Sequence, residues 1–164
     1  MLETNRLTLD TLQETDAAFI LELLNSPGWL SFIGDRQVYD MDAADAYVKR
    51  IQGMSNVVYW VVRKKGDAYP IGTVSFIKRD YLEDHDIGFA FLPQHHGMGY
   101  AQEAAAAVIG HVRNNNAHPV LVATVMQENL ASIRLLSMLG FNFQCEIEVE
   151  GKPLHLYRNE RSIS

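Results

Sequence analysis

The segment His96-Gly97-Met98-Gly99-Tyr100-Ala101 has residue types and a spacing that suit anion binding. It follows an apolar run at 86–92 and leads into a run of strong helix formers at 102–109. The first amides of a helix have no internal partners, the helix dipole makes that end positive, and glycine lets the backbone approach a phosphate closely. This pattern predicts a bound phosphorylated ligand. A tight strand-to-helix turn without a ligand is the competing interpretation.

Apolar periodicity predicts the elements that position this turn. Helices are expected at 15–25, 41–52, 100–114 and 129–139, with residues 114–116 ending the third and 29–39 irregular. Strands are expected at 5–12, 56–64, 70–78, 85–92, 119–125, 141–149 and 152–158. The order of these elements predicts an α/β (α+β) fold built on one mixed, mostly antiparallel sheet, in a single domain spanning 1–164.

Composition narrows the function classes. With 20 acidic against 14 basic residues, the formal net charge is −6, which argues against a general nucleic-acid binder. No apolar run approaches the roughly 20 residues of a membrane helix, and no secretory signal is visible. Cys145 is the only cysteine, which fits a reducing, cytoplasmic location. His111, His118 and His155 lack ligand spacing, so no metal is predicted.

Several segments in chain order carry a resemblance to a known family. They lie at 4–9 (Thr-Asn-Arg-Leu-Thr-Leu), at 71–74, at 86–104 around the glycine turn, at 129–135 and at 139–141. Together they resemble the GNAT acetyltransferases, and within them the ribosomal-protein N-acetyltransferase-like (RimJ/RimL-type) branch. The resemblance implies a sheet of about seven strands flanked by four helices, with central strands that splay apart. It also implies acetyl-CoA as co-substrate and direct acetyl transfer to a primary amine.

The resemblance assigns cofactor contacts residue by residue. The amides of 97–102 would cradle the pyrophosphate, the backbone of 89–91 would pair with the pantetheine arm, and the N–H of residue 91 or 92 would donate a hydrogen bond to the thioester oxygen. Asn129 would hydrogen-bond the pantetheine or the far arm of the cofactor. The full predicted set is Phe89, Ala90, Phe91, Leu92, His96, Gly97, Met98, Gly99, Tyr100, Ala101, Gln102 and Asn129. His96 departs from the Gln or Arg of the wider family.

Two catalytic roles follow from the same resemblance. Many GNAT enzymes have a tyrosine proton donor seven residues after the asparagine, and here that position is Leu136. Ser132, one helical turn after Asn129, is therefore the predicted donor to the departing thiolate, against the alternative of a serine that satisfies local amides. Asp86 is the predicted base, and a solvated charge at a strand end is the equal alternative.

The acceptor site is less specified by the sequence. Trp29, Phe32 and Tyr157 are predicted to line it. Packing is the alternative for all three; it is favoured for Trp29 and Phe32, under an irregular loop, and equal for Tyr157. Scattered acidic residues near that end would attract a cationic amine; these are Glu22, Asp35 and Asp42. The acceptor itself, a protein N-terminus or a small-molecule amine, stays open. The resemblance also leaves a homodimer open, and no membrane partner is expected.

Two other function classes compete with the enzyme. A non-catalytic acyl-CoA-binding module of the same fold is the first, because Leu136 replaces the tyrosine and the base is uncertain. A nucleotide-binding domain of Rossmann type is the second. That class has its glycine motif near the first strand and repeated strand–helix units, whereas here the turn is mid-chain and most strands run in hairpins.

Overall fold

One open sheet of eight strands forms the centre of the computed structural model, which describes residues 1–114 and 117–161. The strands are β1 (Leu2–Glu3), β2 (Leu7–Thr11), β3 (Val57–Lys64), β4 (Pro70–Ile77), β5 (His85–Phe91), β6 (Val120–Val125), β7 (Asn142–Val149) and β8 (Lys152–Glu160). They lie side by side in the order β1-β2-β3-β4-β5-β6-β8-β7. The β3–β4 hairpin turns with Gly66 at a φ of 82°, and the β7–β8 hairpin turns with Gly151 at 79°. Both hairpins confirm the prediction from the sequence.

The strands β5 and β6 form the parallel pair of this sheet, and they are paired at one end only. His85 lies opposite Leu121 and Asp86 opposite Val122, and no later residue of β5 has a partner on β6. On its other side β5 stays paired with β4 as far as Phe91. The predicted splay is therefore confirmed, and a gap opens along β5 beyond Asp86.

Five α-helices pack on the two faces of the sheet. They are α1 (Ala17–Leu24), α2 (Pro27–Phe32), α3 (Met41–Gln52), α4 (Tyr100–Val112) and α5 (Leu130–Met138). One buried core includes Val108 of α4 and Leu136 of α5, and the other includes Phe19 of α1 and Val48 of α3. None of the helices in the described ranges is long and apolar enough to cross a membrane.

The sequence prediction missed two elements. Residues 27–32 form α2, although 29–39 was expected to be irregular. Pro27 stands at the first helical position, where the missing N–H costs nothing and the fixed φ suits a helix, so it starts α2 as well as ending α1. Strand β1 has only two residues, too few to show a period. The third predicted helix ends at Val112, and part of its predicted stop, residues 115–116, lies outside the described residues.

Candidate active site

A cavity of about 430 Å³ opens beside the unpaired part of β5. Its walls come from β5, the glycine turn with the start of α4, α5 and α2. Ten of the twelve predicted cofactor residues line it, namely Phe89, Ala90, Phe91, His96, Gly97, Gly99, Tyr100, Ala101, Gln102 and Asn129. The predicted donor Ser132 and the predicted acceptor residues Trp29 and Phe32 line it too. The fold therefore gathers these distant segments around one space.

The backbone of β5 offers hydrogen-bonding groups to the gap at alternate residues. The N–H of Leu92 donates to the carbonyl of Ile71 on β4, at 2.9 Å. Because residues of an antiparallel ladder alternate between bonded and non-bonded pairs, Ala90 also directs its amide and carbonyl toward β4. The backbone N–H and C=O groups of Phe89 and Phe91 point the other way, into the gap. The expectations that Ala90 pairs with pantetheine and that the Leu92 N–H meets the thioester oxygen are corrected accordingly.

The glycine turn is shaped by positive φ angles. Gly97 has a φ of 76° and Gly99, the residue before α4, a φ of 81°. An L-residue adopts this region at a cost, so glycine suits both positions. Gly99 has no side chain to cap α4, which leaves the amides of the first turn for other partners. His96 ties the turn to β5, because its Nε2 lies 2.7 Å from the Phe91 carbonyl and donates to it.

The start of α5 forms the opposite part of the wall. Asn129 caps this helix, since its Oδ1 accepts the N–H of Ser132 at 3.2 Å. Among the described residues, the side-chain NH₂ of Asn129 has no hydrogen-bond partner. Ser132 is not the cap of α5, and it lines the cavity. Leu136 is buried in the core, away from the cavity, as its apolar side chain requires.

Comparison with known families decides the identity of this fold. A family model described as the acetyltransferase (GNAT) domain matches residues 6–142. The chain belongs to the GNAT acetyltransferase family. It is therefore an enzyme of acetyl transfer, and the resemblance noted in its motifs is confirmed.

Individual acetyltransferases match most of the length of this chain. The uncharacterized N-acetyltransferase YnaD of Bacillus subtilis (strain 168) is 26% identical over 140 residues, which are 85% of this chain and 81% of YnaD. A GNAT-family acetyltransferase from Bacillus anthracis has a TM-score of 0.81 at 20% identity, over 97% of both chains. RimL, a ribosomal L7/L12 alpha-N-protein acetyltransferase solved with coenzyme A, has a TM-score of 0.78 at 14% identity, over 96% of both chains. At these identities the two structures establish the shared fold.

Asp86, the predicted base of this GNAT enzyme, does not line the cavity. Its side chain is buried, with the residue 4% exposed, and its Oδ2 lies 2.5 Å from Arg79 Nε. Burial raises the pKa of this carboxyl group, and the Arg79 guanidinium opposes the rise. Asp86 lies at the last paired position between β5 and β6, so its ion pair with Arg79 lies where the two strands separate. Its role as base stays a prediction, and it requires water to connect the carboxylate with an amine.

Three further predicted residues lie outside the cavity wall. Tyr157 is buried in the core, where its ring meets Phe143 edge-on with centroids 5.8 Å apart, as the packing alternative proposed. Leu92 is buried in the core between α1, α3 and the sheet. Met98 is exposed, and its carbonyl accepts a hydrogen bond from Arg6. These three residues therefore do not form the surface of the cavity.

One cation in the wall was not predicted from the sequence. Arg134 of α5 lines the cavity, is exposed and has no hydrogen bond or ion pair among the described residues. Among the described residues of the wall it is the one arginine or lysine, and none is aspartate or glutamate. Ala131, Arg134 and Met138 follow one another at helical spacing on α5. Arg134 is five residues from Asn129 and two from Ser132, neither of which is a same-face helical spacing, so the sequence offered no signal for it.

The α2 wall is built from apolar side chains. Trp29, Phe32 and Ile33 line the cavity, and Trp29 is only 7% exposed, with no hydrogen-bond partner for its Nε1. The acidic residues expected near this end do not line the cavity. Glu22 accepts from the Tyr69 hydroxyl at 2.7 Å, and its carboxylate raises the pKa of Tyr69 to about 12. The α2 side of the wall is therefore largely apolar.

Proposed function

We propose that this protein is an acetyl-CoA-dependent N-acetyltransferase that passes an acetyl group directly to a primary amine. One observation carries the proposal: a strand edge that β6 leaves open at Phe89 and at the Phe91 N–H shares one cavity with an uncapped, glycine-led helix start. The free edge suits the amides of pantetheine, and the helix start suits a pyrophosphate. Coenzyme A contains both groups, and RimL was solved in complex with it.

The phosphate end of acetyl-CoA meets the amides of 97–102. The α4 dipole adds positive potential there, and the wall has no carboxylate among the described residues to oppose it. Arg134 supplies a positive charge on the facing helix. The NH₂ group of Asn129, whose Oδ1 is used in capping, donates to a carbonyl of the pantetheine arm. These residues therefore fit the pyrophosphate and the pantetheine arm of coenzyme A.

The transfer needs no covalent enzyme intermediate. A neutral amine attacks the thioester carbon, the C–N bond forms, and the C–S bond then breaks. The N–H of Phe91 faces the gap and stabilises the negative oxygen of the tetrahedral intermediate. The Ser132 hydroxyl donates a proton to the departing thiolate and regains one from water, which returns the serine to its neutral form. The amine loses its proton to water or, through water, to Asp86.

The acceptor reaches the acetyl group from the α2 side of the cavity. Trp29 and Phe32 place aromatic surface there, which suits the apolar part of an amine or the first side chains of a peptide. The resemblance to the RimJ/RimL-type branch makes a protein N-terminus one acceptor class, and a small-molecule amine is the other.

Release of free thiol from acetyl-CoA tests the function directly. The acceptor panel contains peptides with free N-termini, the same peptides with blocked N-termini, a polyamine and an aminoglycoside. We expect saturable binding of acetyl-CoA and thiol release with at least one free amine, absent with its blocked counterpart. Binding without thiol release for any amine would contradict the proposal and favour a non-catalytic module.

A further inference from the structure

Arg6 connects the start of β2 with the glycine turn, far away in the chain. Its Nη1 donates to the carbonyl of Met98 at 2.9 Å, and its Nε lies 2.7 Å from Glu103 Oε2. Its guanidinium also stands over the ring of Tyr100, 4.5 Å from the centroid. One side chain therefore contacts the turn, the first residue of α4 and the first turn of that helix.

Glu103 is the other half of this arrangement. Its Oε1 accepts the backbone N–H of Arg6 at 2.9 Å and the hydroxyl of Thr4 at 2.6 Å. Partial burial raises the pKa of Glu103, but the hydrogen bonds from Thr4 and Arg6 outweigh it and the net pKa is lowered. The carboxylate is thus ionised at neutral pH, within one turn of the helix end that faces the cavity.

This placement creates an electrostatic conflict that Arg6 resolves. A carboxylate in the first turn stabilises a helix, but it also lowers the positive potential that a bound phosphate needs. The charge of Arg6 at 2.7 Å offsets that of Glu103. The side chain of Glu103 is directed to the β1–β2 segment and does not line the cavity.

Arg6 also orients a peptide unit of the turn. The Met98–Gly99 peptide is trans, as every peptide bond described is, so its C=O and N–H point in opposite directions. Because Arg6 holds the Met98 oxygen, the Gly99 N–H is directed away from Arg6. Gly99 itself lines the cavity.

We infer that Arg6 is a positioning residue for phosphate binding, which orients the Met98–Gly99 peptide and neutralises Glu103 at the mouth of the anion site. This inference rests on the proposed use of acetyl-CoA. It predicts that Arg6 acts on the phosphate-bearing part of the co-substrate alone. A residue that only stabilised the fold would affect every ligand alike.

Affinity measurements on four proteins separate the two roles. Arg6→Gln should weaken acetyl-CoA binding about 10-fold, because it removes charge-assisted contacts and leaves Glu103 uncompensated. Glu103→Gln should leave the affinity equal or higher. The double variant should bind more tightly than Arg6→Gln alone. A double variant no better than Arg6→Gln would overturn the electrostatic role.

A ligand without phosphates sharpens the test. Turnover with acetyl-pantetheine should differ less than about twofold between Arg6→Gln and the wild type. This substrate has no pyrophosphate, so neither protein can make the contact that Arg6 is inferred to support. An equal loss with acetyl-CoA and acetyl-pantetheine would overturn the inference. Arg6→Lys keeps the charge but not the forked geometry, and should fall between wild type and Arg6→Gln. That variant keeps the test usable if the glutamine substitution unfolds the protein.

Lys65→Gln is the matched control. Lys65 lies 3.8 Å from Glu3 near the same edge of the sheet, is about as exposed as Arg6 and does not line the cavity. Lys65→Gln removes one positive charge, as Arg6→Gln does, and should leave acetyl-CoA affinity unchanged. If the wild type fails to bind acetyl-CoA, the proposed function is wrong; if wild type and Arg6→Gln bind it equally, only the role of Arg6 is wrong.

Discussion

The two sides of the cavity are built from different parts of the chain. On the donor side, β5 and the glycine turn present backbone groups, at Phe89, Phe91 and the first amides of α4. On the α2 side, Trp29, Phe32 and Ile33 present side chains. The first surface suits amides and phosphates that every acetyl-CoA molecule carries. The second depends on which side chains a sequence places there.

This difference predicts that the two sides have separate roles, binding of acetyl-CoA and selection of the acceptor. Backbone groups are the same in every sequence, so a donor site built from them needs only the correct turns and strand ends. Side chains vary in size and polarity, so they suit an acceptor site that must distinguish one amine from another. Substitutions on the two sides should therefore affect different kinetic constants.

The largest effect is expected for Gly97→Asp. A Cβ at Gly97 meets nothing within 4 Å, so this variant adds a charge without a clash. Repulsion between a carboxylate and the pyrophosphate should weaken acetyl-CoA binding about 100-fold or more, measured by calorimetry.

Gly66→Asp controls for backbone strain. Gly66 has a φ of 82°, close to the 76° of Gly97, and its Cβ also meets nothing within 4 Å. It should lose similar stability and keep its affinity. Equal acetyl-CoA affinity in Gly97→Asp and Gly66→Asp would contradict the binding of the pyrophosphate at the glycine turn.

Ser132→Ala should separate chemistry from binding on the donor side. Loss of the hydroxyl that protonates the thiolate should lower turnover about 10- to 100-fold, with little change in acetyl-CoA affinity. Ser137→Ala is the control, because Ser137 lies on the same helix, exposed and away from the cavity. Unchanged turnover in Ser132→Ala would exclude the serine from the mechanism.

Phe32→Ala tests the α2 side. Removing this half-buried ring should raise the KM for the acceptor about 10-fold, since a phenyl contact contributes roughly 1.5–3 kcal/mol when fully buried. The dissociation constant of acetyl-CoA should not change. Leu30→Ala on the same helix, exposed and outside the wall, should alter neither constant. A parallel loss of acetyl-CoA affinity would contradict the division between the two sides.

Arg134→Gln should have a smaller effect, because the side chain is exposed and phosphate contacts in water are screened. Acetyl-CoA affinity should fall about fivefold, and the loss should shrink as salt is raised. The measurement is a titration at two ionic strengths. A loss that does not depend on salt would exclude an electrostatic contact with a phosphate.

The parts that the sequence predicted well are encoded locally. Two glycines before a helix-forming run require one kind of turn, so the strand-to-helix turn at Gly97 and Gly99 was recognisable. Ala90 was misassigned because strand register decides which backbone groups face the gap. That register is set by the pairing of Leu92 with Ile71, which are distant in the sequence. Arg79, the partner of Asp86, likewise approaches only through the folded β4–β5 connection.

The smallest expected effect is on stability as a function of pH. The pKa of Glu103 is lowered from a usual value of 4.5 by its hydrogen bonds, with burial opposing. A lowered carboxyl pKa stabilises the fold above the unfolded value, and this stability disappears as pH falls through the folded value. Denaturant unfolding should show wild type more stable than Glu103→Gln by about 1 kcal/mol at pH 7, with the difference shrinking below pH ~4.5. A constant difference across that range would contradict the role of its charge.

Amide hydrogen exchange, followed by NMR with and without acetyl-CoA, tests the donor side most directly. The account predicts that the ligand slows exchange at Phe89, Phe91 and the first amides of α4, while Ala90 and Leu92, already bonded to β4, change little. Uniform protection along β5, or none in β5 and the glycine turn, would contradict it.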